Sequence, residues 1–396
     1  MKRLISLSLL LQILLILDLA AEEPWKRHTI DNSSRGADGV RVADINLDGH
    51  PDFTTGWEEG GLVRVYLNPG PDTAKQLWPA VTVGNVKSPE DAVFADLDND
   101  GAVDVVSSCE GSTQTVFVHW APRDQLDLLK SDAWKTEAFP QTVKKTRWMF
   151  CLPMEVDGKN GIDLILGSKQ PNAVVGWLES PANPRILNDW KWHPLYDAGW
   201  IMSLMKVDLT GDGREDVLLT DRKGPNRGLV LLEHPGEEKS TDQWPAHRLG
   251  GTNHEVMFLD HRRVPPPGWE IIVSTRDNDL LGFSRRDKPH EWNQTAIPAA
   301  ENTGTMKSVR WIDVDLDGRL DLIYSCENAK GKLSGVVWME ATGDPKNWKR
   351  HEVSGPEGVK FDLIQLLDLD RDGDLDIITC EERANLGVIW YENPTR

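Results

Sequence analysis

Apolar residues in this chain come in short alternating runs, not at helical spacing. VRVADI, AVFADL, SLMKVDL, VRWIDVD and LIQLLDL each run into an acidic, glycine-bearing turn. A second run leaves each turn (DFTTGW, DVVSSC, DLILGS, DVLLTD, DLIYSC, DIITCE). A third carries an aromatic, as in FVHWAP, VVGWLESP, GVVWMEA and GVIWYENP, and a fourth opens on Trp25, Trp78, Trp134, Trp190, Trp244, Trp292 or Trp348. Short β-branched and aromatic runs bounded by Gly, Pro, Asn and Asp read as strands. The unit recurs with acidic first positions at Asp44, Asp96, Glu155, Asp208, Asp260, Asp313 and Asp368. Seven four-stranded units at a period near 50 residues predict an all-β, seven-bladed β-propeller. The first Trp-led strand precedes the first turn and none follows the last. The N-terminal strand is therefore expected to close the last blade, leaving only short outer edges.

The turns carry the most specific chemistry. In D-x-[DN]-x-D-G-x-x-D the residues at positions 1, 3, 5 and 9 offer hard oxygen ligands, while Gly at position 6 takes the tight turn. Position 12 is Thr55 in the first copy and Ser107 in the second, where an EF-hand needs a bidentate Glu, and strands follow instead of helices. Five copies are well formed, and predict about five structural Ca2+ ions. Their ligands would be Asp44, Asn46, Asp48 and Asp52; Asp96, Asp98, Asp100 and Asp104; Asp208, Thr210, Asp212 and Asp216; Asp313, Asp315, Asp317 and Asp321; and Asp368, Asp370, Asp372 and Asp376. Lys159 interrupts the third copy, EVDGKNGID, and HRRVPPPGW stands where the fifth would be, so no metal is expected in either. These loops resemble the FG-GAP/VCBS repeats of integrin-type propellers and of exported bacterial proteins. That resemblance implies a calcium-bearing propeller and leaves activity open, because the family includes adhesion modules, lectin-like binders and lyases. Third strands such as GVIWYENP, together with the Trp-x-x-His pattern of Trp348–His351, also resemble the propeller part of the aldos-2-ulose dehydratases.

Residues 1–21 read as a signal peptide: Lys2 and Arg3, an apolar run from Leu4 to Leu17, then Ala20-Ala21. That run is too short for a membrane span, which needs about 20 residues. A single propeller over 22–396, secreted or periplasmic, is expected, with no membrane span after cleavage. The formal net charge of −19 argues against a nucleic-acid partner. Cys109, Cys151, Cys326 and Cys380 leave two outcomes open, a Cys109–Cys151 disulfide or half-buried free thiols.

Aligning the repeats on their acidic first position yields two rings at the face opposite the acidic turns. Six positions earlier stand Asp38, Glu90, Met149, Met202, His254, Lys307 and Asp362. The ends of the second strands carry Glu58, Glu110, Lys169, Arg222, Arg276, Glu327 and Glu381. Arg147 and Trp200 lie just outside, and Trp57 precedes Glu58. Acids gather on blades six, seven, one and two, and cations on blades three, four and five. Such a funnel suits an anionic or polyhydroxylated ligand, with Trp57 or Trp200 as a stacking surface and Arg222 and Arg276 gripping carboxylate. The expected function is a carbohydrate- or protein-binding module. The alternative is a sugar lyase or dehydratase in which His254 abstracts a proton and Arg222 and Arg276 stabilise the developing negative charge. A bare scaffold is the third reading, in which charged neighbours merely neutralise one another. His28, His193, His247 and His351 each stand fourth in a Trp-led run and are expected to be structural.

Overall fold

A computed structural model describes residues 22–265, 268–286, 290–344 and 346–396, so the expected signal peptide lies outside the described residues. The strands form seven four-stranded antiparallel sheets. Six of them use four consecutive strands. The seventh takes Gln365–Leu367, Asp376–Glu381 and Gly387–Glu392 from the end of the chain and Lys26–Asp31 from its start. Lys26 pairs with Glu392 and Thr29 with Ile389, so the ring closes through backbone hydrogen bonds as expected.

The blades hold together face to face. The second strands are buried on both sides, as in Asp52–Trp57 and Asp104–Cys109, where the polar residues are small Thr and Ser apart from the leading Asp. Apolar clusters span neighbouring blades: Trp120, Trp148, Leu166 and Trp190 join blades two and three, and Trp57, Ile378 and Trp390 join blades seven and one. Trp177 and Trp390 are fully buried in the third strands. Truncating either to Ala would remove about 3–5 kcal/mol.

Several Trp residues that lead the fourth strands stand just ahead of them. Trp78, Trp134, Trp190 and Trp244 precede strands that begin at Ala80, Lys135, Lys191 and Ala246. Each indole is buried and donates to a carbonyl of its own incoming connection: Ala74 at 3.0 Å, Leu128, Pro184 and Ser240 each at 2.9 Å. The indole pins the connection between strands three and four, a job that has to be done before the strand begins. All four cysteines are buried and free.

Blade five departs from the repeat. Its first strand, Val256–Val264, runs straight through Asp260, which pairs with Ile272 inside the ladder. The Asp260 carboxylate accepts the Trp311 N–H at 3.0 Å and faces Arg310 at 3.5 Å. Asp260 is therefore a ladder residue and not the worn start of a loop. Counting back from it misplaces the inner ring, because the first strands of six blades carry a bulge near their start, and in blade five it falls between Val256 and Leu259. Met257 takes the place that Met149 and Met202 take in blades three and four; His254 lies three residues outside it.

Candidate functional site

On one face, five acidic loops are wound tightly around their first carboxylate. Asp44 accepts the N–H groups of Asp48 and Gly49 at 3.2 and 2.9 Å, and Asp96, Asp208 and Asp313 repeat this with their own loops. Positive φ at Leu47, Asn99, Leu316 and Arg371, and at the position-6 glycines such as Gly49 (φ 82°), makes the turn possible. The ninth residue does something else. Asp104 accepts Leu97 N–H through one oxygen (3.2 Å) and Ala121 N–H through the other (2.8 Å). Asp52, Asp216, Asp321 and Asp376 make the same two-sided brace between loop and third strand. Asp163 makes it too, in the interrupted third copy, where Lys159 Nζ sits 2.9 Å from Asp157. The ninth carboxylate thus has a structural use independent of any metal.

The remaining oxygens fit a hard cation. Asp98 Oδ1, Asp368 Oδ1, Asp370 Oδ1 and Thr210 Oγ1 are buried and meet no hydrogen-bond partner among the described residues. Asp96, Asp98 and Asp104 each bring an oxygen within 4.8 Å of the others. Burial pushes the Asp104 and Asp376 carboxyls up to about 7 despite their backbone hydrogen bonds, with Asp98 and Asp370 adding to the rise. A bound divalent cation would offset that crowding. Cationic side chains from neighbouring blades already approach: Arg185 reaches Asp98 and Asp100, and Lys75 lies 2.9 Å from Asp370.

On the opposite face lies a cavity of about 490 Å³. Glu58, Glu90, Glu110, Lys169, Trp200, Arg222, Lys307 and Glu327 all line it, from blades one to four and six. The wall charges are largely paired. Lys169, nearly buried, sits between Glu90 (2.9 Å) and Glu110. Lys307 pairs with Asp362 and lies 3.8 Å from Asp38, both buried behind the lining. Burial pushes Asp362 up to about 7, with Asp38 raising and Lys307 lowering it. Arg222 donates to Glu255 at 2.8 Å, and Arg276 bridges Glu255 and Glu327 from outside the lining.

Within this paired wall, two groupings still concentrate like charge. Glu58, Glu90 and Glu110 bring carboxylate oxygens within 4.8 Å of one another, and burial followed by Glu90 and Asp38 raises the Glu58 carboxyl above its ordinary range. Opposite in charge, Lys169, Arg222 and Lys223 all approach the Trp200 ring, at 4.8, 4.4 and 5.0 Å from its centroid. The Trp200 indole N–H is buried and meets no partner among the described residues.

Other expected residues sit elsewhere. Trp57 is fully buried and donates to the Tyr66 hydroxyl at 2.9 Å. Glu381 is fully buried and accepts the N–H groups of Val359, Lys360, Arg383, Ala384 and Leu386, shaping the loop wall. Arg147 is exposed and outside the lining. His254 is also outside it, with Nδ1 3.2 Å from Asp277. Met149, Met202 and Met257 line the cavity together, as do Lys330, Lys360, Glu382 and Arg383. The last two directly follow Glu381, so reading the outer ring one or two positions further would have found them.

Fold and loops together define a β-propeller built from acidic-loop repeats. Residues 44–107, covering the first two such loops, match the family model of the FG-GAP-like repeat. Aldos-2-ulose dehydratase of Phanerodontia chrysosporium is 24% identical over 247 residues, which cover 52% of this chain. The match spans 27% of that relative's own length. Among solved structures, BBS1N in a complex with ARL6DN, from a crystal soaked with lead, superposes with a TM-score of 0.56 at 10% identity, covering 95% of this chain and 99% of that one. The same complex soaked with mercury gives 0.53 at 9% identity, over 94% and 96%. At such identities the likeness is one of fold.

Proposed function

We propose that this propeller is a binding module whose charged cavity takes a polyhydroxylated ligand, a sugar or sugar acid. The observation that carries this reading is the juxtaposition, in one cavity, of a tight carboxylate cluster with a cation-rimmed indole. Carboxylates at Glu58, Glu90 and Glu110 accept hydrogen bonds from vicinal hydroxyls. Trp200 offers a stacking face, and Arg222 and Lys169 line the same cavity, where an acid group would meet them. Export from the cytoplasm and calcium in the five loops belong to the same proposal, supported by the leader-like residues 1–21 and by the orphaned loop oxygens.

A second reading is favoured by one observation, the relative named as an aldos-2-ulose dehydratase. Elimination on a sugar needs a base, and the raised Glu58 carboxyl inside the cavity is better placed than His254. Lys169 and Arg222 would then stabilise the enolate-like charge.

The experiment is calorimetric titration of keto-sugars and uronates, with parallel ultraviolet detection of a newly formed C=C. Saturable binding without product, weakened at least tenfold in Trp200→Ala, is the expected result. Product exceeding protein and lost in Glu58→Gln would bring the elimination reading forward. Binding unaffected by either substitution would refute both.

A further inference from the structure

One seam of the ring lacks a side chain that the others carry. Each third strand sets one residue opposite the fourth residue of its Trp-led run. Trp177 stands there opposite His193, Trp338 opposite His351 and Trp390 opposite His28. Leu231 takes the place in blade four, and Val65 and Val118 take it in blades one and two. These side chains fill the seam with the next blade. Trp177 belongs to the cluster shared with Ile201 and Val217 of blade four, and Trp390 to the one shared with Phe53 and Trp78 of blade one. In blade five the place falls to Gly282, opposite Thr295. A cavity of about 660 Å³ opens there between blades five and six, with Ile272, Gly282 and Ile297 lining one side and Trp311, Leu320 and Trp348 the other. Among the described residues it shares no lining with the charged cavity.

We propose that this slot binds a neutral, fused-ring aromatic small molecule of about the size of indole. The repeat itself supplies the measure, because three blades hold an indole at the place Gly282 leaves open. Walls of Ile, Leu and Trp give water few hydrogen bonds, whereas a flat apolar ring gains dispersion contacts with them. The volume falls within the range of small-molecule pockets, about 300 to 1,000 Å³. The charged groups of the lining cancel: Arg262 pairs with Glu270, and Lys346 and Asp344 bring one charge of each sign. An uncharged ring matches that balance. Backbone geometry does not impose the glycine either. Gly282 is not among the residues with positive φ, and a Cβ added to it would meet only the movable Thr295 hydroxyl, at 2.9 Å. The consequence of glycine at this position is the open slot.

The test is calorimetric titration of indole, in the presence of Ca2+, into the parent protein, Gly282→Trp and Gly282→Leu, the last copying Leu231 of blade four. The parent is expected to bind one indole saturably. Binding should weaken at least about tenfold in Gly282→Trp, with Gly282→Leu in between. Both variants should melt at or above the parent midpoint, because they fill space without asking for a new backbone conformation. No binding by the parent, equal binding by parent and variants, or a midpoint lowered by Gly282→Leu would overturn the proposal. So would a parent dimer that dissociates in Gly282→Trp, since the slot would then belong to a second copy of the chain.

Discussion

Asp104 and Asp98 sit six residues apart in one loop and are expected to answer to different experiments. Asp104 is fully buried, with each oxygen holding a backbone N–H, so Asp104→Ala orphans Leu97 and Ala121. That should cost about 3 kcal/mol of stability in denaturant melts, with calcium or with chelator. Asp98 keeps one buried oxygen without a hydrogen-bond partner and pairs through the other with Arg185, so Asp98→Asn should cost more stability in calcium than in chelator, where only the Arg185 ion pair is lost. Equal losses from Asp98→Asn in chelator and in calcium would mean that the loop is a structural turn and nothing more. The motif made both residues visible, because spacing is a sequence property. Their division of labour was not visible, because one partner of Asp104, Ala121, lies just past the third strand, 17 residues away. The same limit explains His254. Its assignment to the cavity mouth depended on counting from Asp260, and a longer hairpin in blade five shifts that count by three residues. Trp57 looked like a stacking surface because it neighbours Glu58, yet strand alternation turns it into the interface between blades, where Tyr66 receives its N–H.

The strand that closes the ring, Lys26–Asp31, is held by more than its ladder. Glu392, at the end of its partner strand, takes His28 Nε2 at 2.6 Å and Lys75 Nζ at 3.0 Å, with Lys26 at 3.4 Å. Burial alone would raise the Glu392 carboxyl, but hydrogen bonds from His28 and Lys75 outweigh it and hold it at about 2. A carboxyl depressed in the folded state contributes stability that is fully present above its unfolded value and is lost as pH falls through the folded value. The contribution of Glu392 is therefore expected to fade between about pH 4.5 and pH 2. Glu392→Gln should lower the melting midpoint at pH 7 and flatten that part of the acid limb. An acid limb identical to that of the parent protein would show that the clasp carries no weight in closure. This closure could be read from the sequence by counting Trp-led runs, since an offset of one strand has only one geometric solution in a ring. The exact start of each fourth strand could not, because an indole that pins the preceding connection and an indole that opens a strand have the same sequence signature.

Across the ring as a whole, charge and closure meet in the five loops. The chain carries 63 acids against 44 Lys and Arg, and four acidic positions in most loops crowd into a few ångströms. Without divalent ions the loops rely on backbone N–H groups and on borrowed cations such as Arg185 and Lys75, each from an adjacent blade. Such partners are single charges on long side chains and compensate only part of the repulsion. Calcium binding only to the folded ring would add about 2.7 kcal/mol per loop at a hundredfold excess over Kd. Chelation should consequently lower the thermal midpoint and broaden the transition, because no loop ion is expected in blades three and five, where Lys159 and HRRVPPPGW interrupt the motif. Added salt should recover part of the loss by screening, calcium all of it. Magnesium should recover less than calcium, since it needs near-ideal octahedral geometry and gives up water reluctantly. A midpoint indifferent to chelator at low salt would mean that the acidic loops hold no ions, and that Asp brace, Trp anchor and strand closure suffice to keep the propeller shut.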